Sequence, residues 1–301
     1  MMSKIIRSCG THDGSFHADE VSACALLILF DCIDFDKITR SRDPKVLATC
    51  QYVCDVGGIY DPSQGLFDHH QAHYDGELSS AGMILQFLRD QKKISLKEHE
   101  AFSRYIIKGV DDHDQGKDPS IYGVCTFSHV IANFNTIHHE APAEEQHKAF
   151  FKALEFTFGH LRRFWERYQY IISCREIVAE AMRNDTKVLM FEKSIPWQDV
   201  FFDLGGEKHP AQFIIMPSGE HWKLRGIPPN DRDRMAVRMP MPQSWAGLLQ
   251  GDLKKVTGIE DAVFCHKGRF ISVWKTREAA LRALELINGG GNHDDSIQEN
   301  H

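Results

Sequence analysis

Two kinds of apolar segment alternate in the N-terminal part of the chain. Short runs at 4–8, 36–42 and 51–55 are typical of strands, and polar or glycine-rich residues follow them. Longer apolar runs at 21–30 and 83–88 predict helices. Strands that alternate with helices favour a parallel sheet with crossover connections. Ligands of such sheets bind beyond the carboxyl ends of the strands, which is where the polar motifs of this segment fall.

Polar residues mark the ends of several predicted helices. Asp19 and Glu20 begin the first apolar helix, because free N–H groups at a helix start favour negative charge. Ser79 is the expected N-cap of the second. A third helix, over 102–106, is expected to end near Gly109.

The second half of the chain changes from a helical pattern to short strands. Apolar residues recur every three or four positions from 142 to 181, with Gly159 expected to bend this long helix. Beyond Asn184, turns separate strand-like runs at 187–191, 200–202, 212–216, 222–225, 235–238, 262–265 and 270–274, and an amphipathic helix at 277–287 follows them.

These patterns predict an α/β protein with two domains. The first, at 1–184, is a parallel-sheet domain flanked by helices, and it includes the long connector helix. The second, at 185–288, is a smaller α+β domain. Residues 289–301 are polar and glycine-rich, so we expect a disordered tail. The length of 301 residues also favours two domains.

Composition restricts the setting and the partners of the chain. The net charge of −7 argues against tight nonspecific binding of long nucleic acid. No signal peptide or membrane-spanning run is recognised. The eight cysteines include no CxxC pair, and several lie in apolar runs, so we expect reduced thiols and a cytoplasmic protein. The sequence leaves the oligomeric state open, a homo-oligomer included.

Histidine and aspartate concentrate in four clusters of the N-terminal half. The clusters are His12, His17 and Asp19; Asp55; Asp68, His69 and His70; and Asp111, His113 and Asp114. Imidazole and carboxylate ligands together suit Mn²⁺, Zn²⁺ or Fe²⁺. Two such ions need about six to eight ligands, one of them a bridging carboxylate. The clusters supply that number, and each is expected after a strand or at a helix start.

Each cluster also has an ordinary structural explanation. Asp19 can cap a helix, Asp55 can begin a turn, and the cluster at 111–114 can be a solvated helix end. The three ionisable residues at 68–70 are harder to explain, because they follow an apolar pair and are costly to bury without partners. Taken together, the four clusters occur in the order and at the strand ends that a single site requires, which favours one shared site.

Several motifs resemble those of a known enzyme family. Asp-His-His at 68–70 resembles the signature of the DHH phosphoesterase superfamily. More narrowly, the chain resembles the melanocyte-proliferating-gene exonuclease family from about Gly10 to Ile287. The matching motifs are THDGSFHADE (11–20), CDVGG (54–58), FDHHQ (67–71), SSAG (79–82), VDDHDQG (110–116), WKLRGIP (222–228) and RMPMPQSWAGL (238–248).

The resemblance implies a function and a role for each motif. It implies a Mn²⁺-dependent phosphodiester hydrolase, acting as a 3′–5′ exonuclease on RNA, that uses a hydroxide between two divalent ions. It implies that His12, His17 and Asp55 hold one ion and that Asp19, Asp55, His69 and Asp111 hold the other. His70 would contact the substrate phosphate, and Asp68 would orient a neighbouring histidine.

Departures from the family pattern leave the fourth motif and the substrate residues less defined. Asp112 and His113 replace apolar neighbours, so either Asp111 or Asp114 can be the ligand, and Asp111 is preferred. The expected substrate-binding residues are Arg225, Arg238, His266 and Arg269, with Arg232, Arg234 and Lys267 as further basic candidates.

Two other functions stay open at this point. One is a phosphoesterase for a nucleotide or a pyrophosphate-like small molecule. The other is a noncatalytic protein that binds metal or nucleotide.

Overall fold

A computed structural model of the chain describes residues 4–117, 121–138, 140–233 and 236–289. It forms two compact units, 1–165 and 166–301, and each contains one five-stranded sheet. The division falls within the long helix Ala143–Ser173. The sequence pattern places the domain boundary later, near residue 185, and that boundary stays a prediction.

The first unit is built on a mostly parallel sheet. Its elements are β1 (Ile5–Thr11), α1 (Ala18–Leu29), β2 (Ile38–Arg40), α2 (Pro44–Leu47), β3 (Cys50–Cys54), β4 (Tyr60–Asp61), β5 (Leu66–Phe67), α3 (Ser80–Asp90), α4 (Leu96–Phe102), α5 (Lys108–Asp114), α6 (Phe127–Ala132) and α7 (Ala143–Ser173). The strand order is β2-β1-β3-β5-β4, and only the edge strand β4 is antiparallel to its neighbour. The predicted α/β class is confirmed.

This topology brings three polar motifs to one edge of the sheet. Strands β1, β3 and β5 run in the same direction, so their carboxyl ends lie side by side. His12, Asp55 and Asp68 are the first residues beyond those ends. The edge of the sheet therefore collects the imidazoles and carboxylates that the sequence spreads over almost sixty positions.

Helix α1 packs behind this edge and is buried on nearly all sides. Its buried residues include Val21, Leu26 and Leu27, which join the main hydrophobic cluster of the unit. Asp19 and Glu20, in its first turn, are equally inaccessible. Two buried carboxylates at a helix start need partners or cations, because ionised groups are costly to remove from water.

The third predicted helix does not end near Gly109. α4 runs through a π-turn, Ser103–Ile107, into α5, which continues to Asp114. Glycine weakens a helix by only about 1 kcal/mol, and buried Val110 and an ion pair between Lys108 and Asp112 support the last turns. Asp111 and Asp114 consequently lie one turn apart on a helix.

The second unit has the expected α+β character. Its elements are α8 (Arg175–Met182), β6 (Val188–Met190), α9 (Gln198–Asp203), β7 (Phe213–Ser218), β8 (His221–Gly226), α10 (Gln250–Thr257), β9 (Ala262–Cys265), β10 (Ile271–Trp274) and α11 (Arg277–Gly289). The strand order is β6-β7-β8-β10-β9, with only the β6–β7 pair parallel.

Two predicted strands of this unit are wrong. Residues 200–202 lie in α9, which buries Val200 and Phe201 and is followed by Gly205 with φ of 85°. The described residues 236–238 form no strand. Residues 234–235 and 290–301, which include Arg234 and almost all of the predicted tail, lie outside the described residues. Within the described ranges, no helix is both long and apolar enough to cross a membrane.

Candidate metal centre

Asp55 is the point at which the predicted ligand motifs meet. One of its carboxylate oxygens, Oδ2, lies 3.3 Å from His12 Nε2, and the other, Oδ1, lies 3.4 Å from His69 Nε2. The side chain is almost fully buried. A carboxylate placed between two imidazoles from different strands has the geometry of a bridging ligand.

The backbone turn after β3 holds Asp55 in this place. Asp55 has a φ of 57°, and Gly57 and Gly58 follow with φ of 103° and 68°. A left-handed conformation is unfavourable for a non-glycine residue, by roughly 1–2 kcal/mol. Strained residues of this kind are concentrated at functional sites, where the surrounding structure fixes them.

Three groups of side chains come close enough to share a cation. In each, one ligand atom per residue lies within 4.8 Å of the others. The groups are His12, His17, Glu20 and Asp55; Asp55, His69 and His70; and Asp19, His69 and Asp114. Asp55 joins the first group to the second, and His69 joins the second to the third. The structure therefore brings together five of the six predicted ligands.

Asp111, the sixth predicted ligand, belongs to none of these groups. Its Oδ1 atom accepts hydrogen bonds from Ser79 N and Gly82 N, both at 3.1 Å, and lies 2.7 Å from Ser79 Oγ, whose single proton it shares with Asp19. It thus binds the first turn of α3. Asp114 instead places Oδ2 3.0 Å from His69 Nε2. Of the two candidates that the sequence leaves open, Asp114 faces the other ligands.

Asp19 connects the same helix start to the ligand cluster. Its Oδ1 accepts hydrogen bonds from Ser79 Oγ at 2.5 Å and from Ala81 N at 2.6 Å. Its Oδ2 accepts one from Ser80 N at 3.0 Å and lies 3.9 Å from His69 Nε2. The helix N-terminus thereby fixes this carboxylate while leaving one oxygen near the histidine.

The ionisable groups of the cluster strongly shift one another's pKa values. Burial disfavours a proton on His12, but hydrogen bonds to Asp55 and Glu20 outweigh it and raise its pKa to about 10. His69 behaves alike: contacts with Asp114 and Asp55 overcome burial and raise its pKa to about 10. Burial also opposes ionisation of Asp55, yet the two histidines lower its pKa to about 2.

The pKa values of the carboxylates around Asp55 are raised, whereas that of Asp55 is lowered. Burial raises the pKa of Asp19, and the charges of Asp55 and Asp114 add to it. Burial likewise raises the pKa of Glu20. Protonation is one way to reduce the electrostatic repulsion among so many adjacent carboxylates, and a bound cation is the other.

The donor set and its unsatisfied atoms fit divalent cations. Asp55 Oδ1 and His69 Nε2 are buried, and neither makes a well-formed hydrogen bond to a described residue. Buried polar atoms are rarely left in this state. Nitrogen and oxygen donors without thiolate are also the ligands that Mn²⁺ and related ions accept.

Asp68 and His70 form a separate pair beside the cluster. Asp68 is buried, and its Oδ2 accepts a hydrogen bond from Gly58 N at 2.5 Å. Its Oδ1 lies 2.8 Å from His70 Nδ1 and accepts His70 N at 3.1 Å. The His70 side chain is 63% exposed. The ring is thus held at one nitrogen and is accessible to a ligand.

A cavity of about 730 Å³ opens in front of these residues. His12, His17, Asp55, Asp68 and His70 are among its lining residues. The remaining lining residues are Asp13, Gly14, Ser15, Arg42, Val56, Gly57 and Gly58. The volume lies within the range of about 300–1,000 Å³ that small-molecule sites occupy.

Two of the four predicted substrate residues lie beside the Phe270 ring in the second unit, and a third is next to Phe270 in the sequence. The Arg225 guanidinium is 5.9 Å from the Phe270 ring centre, and the His266 ring is 4.4 Å from it. Arg269 precedes Phe270 and donates from Nη1 to Met241 O at 3.3 Å.

Arg238, the fourth, binds the main chain instead. It donates to the carbonyl oxygens of Gly206, His209, Ala211 and Pro228 at 2.5–3.1 Å. With both its Nη atoms and Nε engaged in this way, Arg238 holds loops of its own unit together.

The sequence patterns did not select Glu20 as a member of the cluster, and they named Asp114 only as the alternative to Asp111. Glu20 was interpreted only as a helix-start residue, and its carboxylate does accept His17 N at 3.0 and 3.1 Å. Its Oε1 also lies 3.0 Å from His12 Nε2. The spacing His17-x-x-Glu20, which puts both side chains on one helix turn, was the available signal.

Comparisons with known proteins agree with the motifs. Residues 8–286 match the MYG1_exonuc family model, described as an uncharacterised protein family (UPF0160). A MYG1 protein from Chlamydia pneumoniae is 52% identical over 287 residues, which cover 94% of this chain and 97% of that protein. The human MYG1 exonuclease is 30% identical over 315 residues, covering 90% of this chain and 83% of that protein.

Similarity to solved structures is much weaker. RecJ from Thermus thermophilus, solved in complex with Mn²⁺, is 11% identical with a TM-score of 0.29. The match covers 94% of this chain but only 52% of RecJ. So low a score carries no argument about this chain. Family membership depends instead on the family match and on the identity to the bacterial and human proteins: the chain belongs to the MYG1 exonuclease family.

Proposed function

We propose that the chain is a metal-dependent phosphodiester hydrolase that removes nucleotides from the end of a nucleic acid. The observation that carries this proposal is the position of Asp55 between His12 and His69, with an unsatisfied buried oxygen directed at the second histidine. The name of the human relative, an exonuclease, supports the same reaction. We expect Mn²⁺ as the cation, RNA as the substrate and 3′–5′ polarity.

The ligands divide naturally between two cations. His12, His17, Glu20 and Asp55 would hold one. Asp19, His69 and Asp114 would hold the other, with Asp55 added because it shares a second group with His69. Bound divalent cations would bring the pKa of a coordinated water toward neutrality and offset charge on the phosphate oxygens.

The role proposed for His70 follows from its contact with Asp68. Because Asp68 Oδ1 accepts a hydrogen bond from His70 Nδ1, the ring orientation is fixed and Nε2 is the nitrogen left for the substrate. Asp68 is itself held by Gly58 N, so the whole pair is anchored to the turn after β3. We propose that His70 binds a phosphate oxygen and that Asp68 positions it.

The second unit is proposed to contribute to substrate binding through three residues. Arg225 and His266 lie beside the aromatic ring of Phe270, and Arg269 precedes Phe270 in the chain, an arrangement that suits a base and a phosphate. The carbonyl contacts of Arg238 favour a structural role for that residue. Seven buried free thiols support a reducing, cytoplasmic location.

A second candidate function is a phosphoesterase for mononucleotides. The cavity volume favours it, because about 730 Å³ is sufficient for one nucleotide. The two functions differ in their products. A noncatalytic binding protein would retain metal and release no product from either substrate.

Labelled RNA and mononucleotides distinguish these candidates. We expect purified chain with Mn²⁺ to shorten 5′-labelled single-stranded RNA in a ladder of single-nucleotide steps, and EDTA to abolish this. Release of phosphate from mononucleotides alone would favour the second candidate. Asp55→Asn should lose both bound Mn²⁺ and activity, whereas Asp90→Asn, a matched change at an exposed carboxylate of α3, should retain both. Two bound ions in folded Asp55→Asn would refute the bridging role.

A further inference from the structure

Arg42 is the only arginine or lysine among the described residues that line the cavity. It follows β2 and lines the cavity together with residues that follow β3 and β5. Its side chain is 65% exposed. No motif and no ligand group described above includes it.

The one described partner of Arg42 does not hold it firmly. Nε lies 3.4 Å from Asp13 Oδ1, and the Asp13 side chain is itself 59% exposed. Ion pairs between exposed side chains contribute little and are screened by salt. A guanidinium offers five N–H donors, so most of its binding capacity remains for a ligand.

Neighbouring Arg40 provides a comparison, because contacts within this unit hold its guanidinium in place. Its Nη2 donates to Gly14 O at 2.6 Å, and its guanidinium lies 4.5 Å from the Phe150 ring centre. Arg40 is therefore committed to linking the loop after β1 to α7. Arg42 has no comparable contacts with described residues and faces the cavity.

Three glycines line the cavity with Arg42 and the ligand residues. Gly14, Gly57 and Gly58 line the cavity, and each has a positive φ. A Cβ atom on any of them would meet no atom within 4 Å. The backbone there leaves room for a bound molecule in front of the glycines.

We propose that Arg42 binds a second phosphate of the substrate, next to the phosphate at the metal centre. The substrate class is then a nucleotide that carries phosphate on both sides of its sugar, as in a nucleic acid strand or a nucleoside bisphosphate. This inference rests on the proposed function, because the first phosphate occupies the cluster around Asp55. Bidentate binding of phosphate is the recognition for which a guanidinium is best suited.

Binding of two simple nucleotides tests this proposal. The full chain with Ca²⁺ is titrated with AMP and with adenosine 3′,5′-bisphosphate by calorimetry. Wild type should bind the bisphosphate more tightly, by roughly tenfold to a hundredfold, as one charge-assisted contact provides. Arg42→Ala should remove this preference and leave the affinity for AMP unchanged, and Arg42→Gln should behave alike.

Two further variants exclude simpler explanations. Arg89→Ala, which breaks a similar surface ion pair with Asp90, should retain the wild-type preference. In Asp13→Asn/Arg42→Ala the preference should stay absent. Its return there would mean that Arg42 only neutralises Asp13, and the proposal would be overturned.

The proposal also fails if wild type shows no preference for the bisphosphate, or if Arg42→Ala weakens both nucleotides equally. Failure of the proposed function has a different signature, since it appears as absence of Mn²⁺-dependent RNA cleavage by wild type. The binding measurement requires no turnover, so the two failures are distinguishable.

Discussion

The assignment of Asp114 as a metal ligand, and of Asp111 as a structural group, can be tested by paired substitutions. Asp111→Asn retains an oxygen that can accept the hydrogen bonds from Ser79 and Gly82, which all reach Oδ1. We expect it to bind Mn²⁺ within about threefold of wild type. Asp114→Asn removes a charged oxygen 3.0 Å from His69 Nε2 and should weaken Mn²⁺ binding by at least the 10–100-fold typical of an outer-shell change.

The structural role of Asp111 predicts a measurable stability loss in Asp111→Ala. Two backbone N–H groups, of Ser79 and Gly82, would lose their acceptor, while Ser79 Oγ keeps Asp19. A buried donor left unsatisfied costs about 1–3 kcal/mol. We therefore expect the metal-free variant to be less stable than wild type by about 3 kcal/mol at pH 4.

The stability difference between wild type and Asp111→Ala should become smaller as the pH rises. Burial raises the pKa of Asp111 from its ordinary 3.8 to about 6. Between those values the folded chain binds the proton more tightly than the unfolded chain, so the wild type loses stability as the pH rises and Asp111→Ala does not. Such a change in pKa is worth about 3 kcal/mol, so the two proteins should be nearly equal at pH 7.

Urea unfolding in EDTA at pH 4 and pH 7, with Mn²⁺ titrations of the two asparagine variants, provides the measurements. Loss of metal from folded Asp111→Asn, together with its retention by Asp114→Asn, would refute the assignment of Asp114 as the ligand. A stability difference for Asp111→Ala that grew from pH 4 to pH 7 would contradict the sign worked out above.

Three other changes have defined outcomes. His70→Ala should retain bound Mn²⁺ by elemental analysis but lower kcat by roughly 10²–10³-fold, as loss of one phosphate donor does; a metal-depleted variant would show that His70 is a ligand. Metal-free chain should lose stability as the pH rises from about 6.5 toward 10, because His12 and His69, whose pKa values are raised to about 10, release their protons. His12→Asn should flatten this melting profile, and an unchanged slope would contradict the assignment. Gly82→Ala places a Cβ against the Asp111 carboxylate and should cost roughly 1–3 kcal/mol, whereas Gly109→Ala, in open space on a helix, should be neutral or stabilising in the same thermal melts.

The sequence predicted the parts of the site that depend on strand ends. His12, Asp55 and Asp68 directly follow strands whose apolar pattern is clear, and the parallel sheet brings them together. The N-cap position of Ser79, which needs only local information, was also predicted, but its side chain makes no capping hydrogen bond and contacts Asp19 and Asp111 instead. Local periodicity and general topology were enough for these residues.

The choice between Asp111 and Asp114 could not be made in the same way. It depends on the helix continuing past Gly109 and on the π-turn before it, which together set the face that each aspartate occupies. The contacts of Arg238 with the main chain could not be predicted for a similar reason. The carbonyls that its long side chain reaches come from loops distant in sequence.

The first turn of α3 has a consequence for how variants of this protein should be interpreted. Residues 79–82 bind at once Asp19 of α1, a proposed ligand, and the Asp111 carboxylate of α5. A small shift of this turn would therefore move Asp19 and disturb α5, the helix that carries Asp114, although the turn itself would touch neither cation nor substrate. The metal content of inactive variants in this turn should therefore be measured before a catalytic role is assigned to any of its serines.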